Sequence, residues 1–265
     1  MNIQFMNNLF YLFKIPHKTA KIDSIINMFK VILNNMTQTD WFKFEDEDYD
    51  FPFYNKNPYI PKWGWIVLFF ALFIGFFLAI SDKIHFSIIG CMVLIVPVLY
   101  FLKWDYKAIF RMPSRRDMLL VVALFAGYMI YALVIGSILD YIGIVSSGTI
   151  DPQSLDVMMM VTSIFSVLGE EFIKFIPFMF FLRVIYKYSN NRKLSVIISV
   201  ALVMLMFASM HAYNPIMFIF ALCIQGLGSI FEFFGYIKTK NILVSYLCHI
   251  FTDEFIFIIT MLGFA

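Results

Sequence analysis

The residues with the most evident chemical potential are Glu170, Glu171 and Lys174, which interrupt a run that is otherwise apolar or hydroxylic from Val161 to Leu182. A charge at the centre of a membrane-spanning helix costs roughly 2.5–3.5 kcal/mol on insertion scales, so three in one turn require a reason. On a helix, Lys174 is four residues from Glu170 and three from Glu171 and can reach either carboxylate. The plain alternative is a buried ion pair that only locks helices together. Three further polar groups follow in apolar surroundings: His211 closing the segment Phe207-Ala208-Ser209-Met210, Glu232 among glycines 226, 228 and 235, and His249 with Asp253. His249 and Asp253 are four apart and share a helix face, so the carboxylate can orient a ring nitrogen. His211 alone reads as an interfacial histidine. Glu232, near Lys238, reads as a rim residue, and Glu254 is given no role.

Together, two carboxylates and two histidines on separate helices can converge on one water. A glutamate takes its proton, while imidazoles donate to a developing oxyanion or hold a metal. Other chemistries lack their residues. No serine lies in GxSxG, and no HExxH occurs, which excludes a zincin helix. Cys91, Cys223 and Cys248 lie in apolar runs without CxxC spacing and read as small buried residues.

The elements that must position these residues are membrane helices. Of 265 residues, 61% are hydrophobic and 14% charged, with a mean hydropathy of +0.81; soluble domains carry about 25% charged residues. A net charge of +2 gives no argument for nucleic acid. The fold class expected is all-α, a polytopic membrane bundle of about seven helices. The spans are placed at about 63–80, 84–102, 118–139, 157–186, 194–210, 216–236 and 242–262, the fourth bent at Pro177. Residues 1–61 form a separate cytoplasmic segment, with an amphipathic helix around Ile22 to Leu33 and an acidic linker, Glu45 to Asp50. Residues 62–265 form the membrane domain, with its catalytic core at about 157–262. No cleavable signal peptide is evident at the N-terminus. The loop 103–116 carries five basic residues and is placed in the cytoplasm, whereas 140–156 carries none and is placed outside. This puts the N-terminus inside and the C-terminus on the opposite side. No internal repeat is evident, which disfavours an inverted-repeat transporter.

The succession of Gly-Glu-Glu at 169–171, Phe207-x-x-x-His211 and His249-x-x-x-Asp253 resembles the CPBP family of intramembrane proteases, which includes CAAX prenyl proteases and bacterial Abi proteins. The stretch from Gly226 to His249 is also similar, and the likeness covers about residues 157–262. Two positions depart. The family's EExxxR is here EExxK, ending in Lys174 as in the related PrsW-type proteases. Asp253 stands where asparagine is usual and adds negative charge beside the water site, which favours a cation there.

The resemblance implies an intramembrane endopeptidase that cuts a membrane-anchored peptide or protein, including a prenylated CAAX-type C-terminus. By it, Glu170 is the general base with Glu171 second, and Lys174 orients them. His211 and His249 stabilise the oxyanion or coordinate a metal, and Asp253 supports His249. Zinc is an optional cofactor, with Glu170, His211, His249 and Asp253 as its ligand set. Two other readings use the same residues: a non-catalytic scaffold or immunity protein, and a small transporter with a glutamate–histidine proton relay. The partners expected are the substrate and the lipid bilayer.

Overall fold

The structure, a computed structural model, describes residues 60–79, 81, 83–144 and 156–262. The amphipathic helix and acidic linker expected before residue 60 lie outside the described residues.

Among the described residues every regular element is helical. In chain order they are α1 (Lys62–Ala79), α2 (Ile84–Phe101), a short 3-10 turn (Tyr106–Ala108), α3 (Arg115–Tyr141), α4 (Val157–Ser189), α5 (Arg192–Met210), α6 (Pro215–Ala221), α7 (Ile230–Thr239) and α8 (Ile242–Met261). A π-helical segment, Leu222–Gly226, joins α6 to α7. Six helices are long and apolar enough to cross a membrane, counting Pro215–Thr239 as one. The remaining long helix is α4, which carries Glu170, Glu171 and Lys174. The chain is an integral, multi-pass membrane protein, and its helix boundaries lie within a few residues of those expected.

Local chemistry starts and stops the helices. Ser114 and Asp117 form a capping box at α3. Asp156, Asn191, Asn214 and Asn241 each accept a backbone N–H at the start of α4, α5, α6 and α8. Pro215 occupies the first turn of α6, where its missing N–H costs nothing. Pro177 lies within α4 without ending it.

α4 is the centre of the bundle, packed against α1, α2, α5 and α8. Every position from Glu171 to Met179 is buried, so the helix is enclosed on all faces there. By contrast α3 buries few of its residues, and Leu119, Val122, Ile130, Leu133 and Val134 are exposed. In a bilayer those side chains face lipid, where no penalty attaches to them.

Small residues set the α1–α2 crossing. A Cβ on Gly90 would lie 2.7 Å from the Ala79 nitrogen and 3.0 Å from the Gly75 oxygen, both backbone atoms. Gly169, next to the charged cluster, approaches the same crossing: its Cβ would lie 3.2 Å from Ala79. Close backbone approach of this kind is how membrane helices gain packing. Gly90→Val should therefore cost about 1–3 kcal/mol by overpacking and lower the thermal midpoint in detergent. Gly136→Ala, with open space around it, should leave the midpoint unchanged. Equal midpoints for both variants would show that the crossing is loosely packed.

The ends of the helices are tied on one face. Asn241 accepts from the Arg111 backbone N–H at 3.1 Å and donates to the Arg111 carbonyl at 2.7 Å. Ile242 N–H donates to the Ile109 carbonyl at 2.9 Å, and the Arg111 guanidinium donates to the Thr239 carbonyl. The loop after α2 and the turn between α7 and α8 thus share one end of the bundle. Lys240 in that turn is buried, with left-handed φ of 52° and its ammonium donating to the Ile237 carbonyl.

Candidate active site

α4, α5, α7 and α8 converge on a cavity of about 280 Å³ in which Glu170, His211, Glu232, His249 and Asp253 all form part of the wall. Of the five carboxylate and imidazole residues expected to act together, four line this wall, and Glu171 lies behind it.

The adjacent glutamates have opposite surroundings because successive helical side chains point about 100° apart. Glu171 faces the protein interior. Its Oε1 is 2.8 Å from His249 Nδ1 and 2.5 Å from Lys174 Nζ, and its Oε2 accepts from Ser245 Oγ. Glu170 faces the cavity, with a side chain 26% exposed and an oxygen 3.9 Å from His249 Nε2. Its oxygen can therefore hold a water that Glu171 cannot reach.

His249 is clamped between these groups. Its Nδ1 lies 2.8 Å from a carboxylate oxygen, which can only accept, and 3.4 Å from an ammonium, which can only donate. Nδ1–H therefore donates to Glu171, and Nε2 is left toward Glu170 at 3.9 Å and Asp253 at 3.6 Å. His211 caps the end of α5 and is held differently: Nδ1–H donates to the Phe207 carbonyl at 2.8 Å. In the neutral ring this leaves Nε2 as an acceptor.

Glu232 is not at the rim. It is buried, and it accepts from the Lys174 ammonium, because α7 turns this residue inward against α4. Lys174, buried as well, pairs with Glu171 and Glu232 rather than with Glu170. Four carboxylates thus lie within 3.9 Å of the His249 imidazole, and two of them, Glu171 and Glu232, also pair with Lys174. Glu254 accepts from Ser163 Oγ and ties α8 to α4. The signal that would have placed Glu232 is the one that singled out Glu170: a charge amid apolar neighbours. Ser245 carried a weaker one, four residues before His249 on the same face.

The sixth expected span, 216–236, is built of α6, the π segment and α7. Gly226 in that segment is in close contact with α5: a Cβ there would lie 3.0 Å from both the Met204 oxygen and Ala208 Cβ. The Cys223 carbonyl accepts from Tyr131 hydroxyl at 2.5 Å. A π-bulge shifts register by a fraction of a turn and is frequent at functional sites; here it brings Gln225 to the cavity wall.

Fold and site define an integral membrane helix bundle with a carboxylate–imidazole cavity enclosed between its helices. Residues 152–255 match the family model described as type II CAAX prenyl endopeptidase Rce1-like. That segment is similar to the CPBP/CAAX proteases, and it contains Glu170, Glu171, Lys174, His211, His249 and Asp253. No curated protein and no solved structure matches the chain.

Proposed function

We propose that this protein is an intramembrane endopeptidase that cleaves a membrane-anchored peptide, a prenylated CAAX-type C-terminus being the first substrate class to test. The observation that carries the reading is the placement of Glu170: a cavity-facing carboxylate next to an imidazole nitrogen, inside a segment similar to the CAAX proteases.

In this mechanism a water between Glu170 and the acceptor Nε2 of His211 gives its proton to Glu170 as its oxygen bonds to the peptide carbonyl carbon. The carbonyl π electrons move to oxygen. Protonated His249, its Nδ1–H bound by Glu171, donates from Nε2 to that oxyanion. Asp253 borders the same nitrogen and orients it. Collapse of the oxyanion breaks the C–N bond, and Glu170 returns the proton to the leaving amine. Zinc, if required, would draw on Glu170, His211, His249 and Asp253, which line one cavity, and would supply Lewis-acid activation of the water; the described residues whose ligand atoms cluster within 4.8 Å are instead Glu171, Glu232 and His249.

The test is cleavage in proteoliposomes of a panel of membrane-anchored peptides with and without a prenylated C-terminal cysteine, resolved by mass spectrometry. Cleavage of the prenylated set supports the reading. An intact, folded protein that cuts nothing in the panel supports a scaffold. A chelator arm decides the cofactor: activity lost and restored by zinc assigns a metal, and unchanged activity assigns the glutamate and histidines alone.

The proposed orientation puts the 103–116 loop in the cytoplasm. Cysteines introduced at Met112 and Tyr141, both exposed at opposite ends of the α3 region, should label from opposite sides of sealed vesicles, Met112 from the cytoplasmic side. Labelling of both from one side would overturn this topology.

A further inference from the structure

Behind the cavity, Glu171, Glu232 and His249 form a buried cage whose ligand atoms all lie within 4.8 Å of one another. Two carboxylates and an imidazole at such distances are donors of the kind that divalent cations take. The place is filled by a side chain of the protein itself. Lys174 Nζ lies 2.5 Å from Glu171 Oε1, donates to Glu232 Oε2, and stands 5.0 Å from the centroid of the Phe207 ring.

We propose that Lys174 is the built-in cation of this cage and that Glu232 is a positioning residue that anchors it, so that Glu171 remains free to hold His249. The arithmetic of donors supports this. An ammonium has three protons; two are directed to carboxylates from α4 and α7, and the third direction meets the face of Phe207, a favourable cation–π partner. Phe207 in turn supplies the carbonyl that holds His211. One cation thereby ties together four helices and both histidines.

Glu232 has a specific task within this arrangement. Lys174 and His249 Nδ1–H share the same acceptor, Glu171 Oε1. With Glu232 present, the ammonium divides its attraction between two carboxylates. Without it, Lys174 is left to Glu171 alone and competes with His249 for that oxygen. The imidazole then loses the acceptor that holds its Nδ1–H and fixes its orientation. Removal of Lys174 has the opposite consequence: two carboxylates and an imidazole are left without their cation, and a divalent ion can enter.

Full-length protein purified in detergent provides the test, with cobalt(II) as the probe because its visible absorption reports N/O coordination. Lys174→Met should bind about one equivalent of cobalt, displaceable by zinc. Wild type and the double variant Lys174→Met/Glu232→Gln should lack that absorption. A folded Lys174→Met that binds no cobalt overturns the proposal, as does a wild-type cobalt band that Glu232→Gln abolishes. Should Lys174→Met fail to fold, ¹⁵N-histidine NMR on Glu232→Gln decides. The His249 Nδ1–H signal, assigned by its loss in His249→Gln, should shift and exchange faster with water as its bond to Glu171 is contested; an unchanged signal overturns the proposal. Only the kinetic arm rests on the proteolytic reading: Glu232→Gln should lower kcat about 10–100-fold with KM little changed, the scale of loss when a histidine's supporting partner is removed. If wild type cuts no peptide while cobalt and NMR behave as expected, the protease reading fails and the cage stands.

Discussion

Glu170→Gln is expected to reduce peptide cleavage by about 10²–10⁴-fold, the contribution of a positioned general base, while the bundle stays folded. The substitution is nearly isosteric and removes only the proton-accepting charge. Glu170 is the partly exposed member of the glutamate pair, and it lines the cavity with His211, His249 and Asp253. Its loss leaves Lys174 with both of its carboxylate partners, so nothing that holds α4 to α7 and α8 is removed. The measurement is kcat on any peptide the wild type cuts, together with the thermal midpoint of the same preparation. A rate within tenfold of wild type would show that another group takes the proton, and Glu171 or His211 would then be the group to examine.

The neighbouring substitution, Glu171→Gln, should act mainly on stability. Glu171 is 4% exposed and contacts Lys174, His249 and Ser245. Breaking a buried ion pair by neutralising one partner typically costs about 3–5 kcal/mol, because the other charge remains buried and less compensated. Here the ammonium would retain Glu232, while His249 would lose its only carboxylate acceptor at hydrogen-bond length. Chemical denaturation in detergent, or the rate of thermal inactivation, should show Glu171→Gln far less stable than Glu170→Gln. Equal stability for the two variants would mean that the cage is not dry, and that water compensates Lys174 where Glu171 no longer does.

The contrast between these adjacent residues shows where reading from sequence stops. The Glu-Glu pair was evident as an intramembrane charge cluster, but nothing in a dipeptide says which carboxylate faces a cavity. Lys174 was in reach of both by helical spacing, yet it turns away from Glu170 because its other partner, Glu232, lies on a different helix. From its sequence neighbour Lys238 that partner reads as a rim residue; on α7 the two are six residues, well over one turn, apart, and Glu232 is turned toward α4.

What the sequence by itself determined is the membrane architecture and the chemical inventory. Hydropathy decides which segments span, since each requires about 20 apolar residues to cross a bilayer. Short polar signals such as Asn191, Asn214-Pro215 and Asn241 decide where helices begin, because capping is a contact between near neighbours. The three motifs in chain order also single out Glu170, His211, His249 and Asp253 as one set, and these four line one cavity. Only the tertiary structure decided which groups touch. The enclosure of α4, the π segment that turns Gln225 to the cavity, and the cage around Lys174 depend on how helices rotate and approach one another. Those rotations follow from packing between distant segments, as where Gly169 lets α4 approach α1, and from the need of each buried charge for a partner. Neither is a property of any local stretch of the chain.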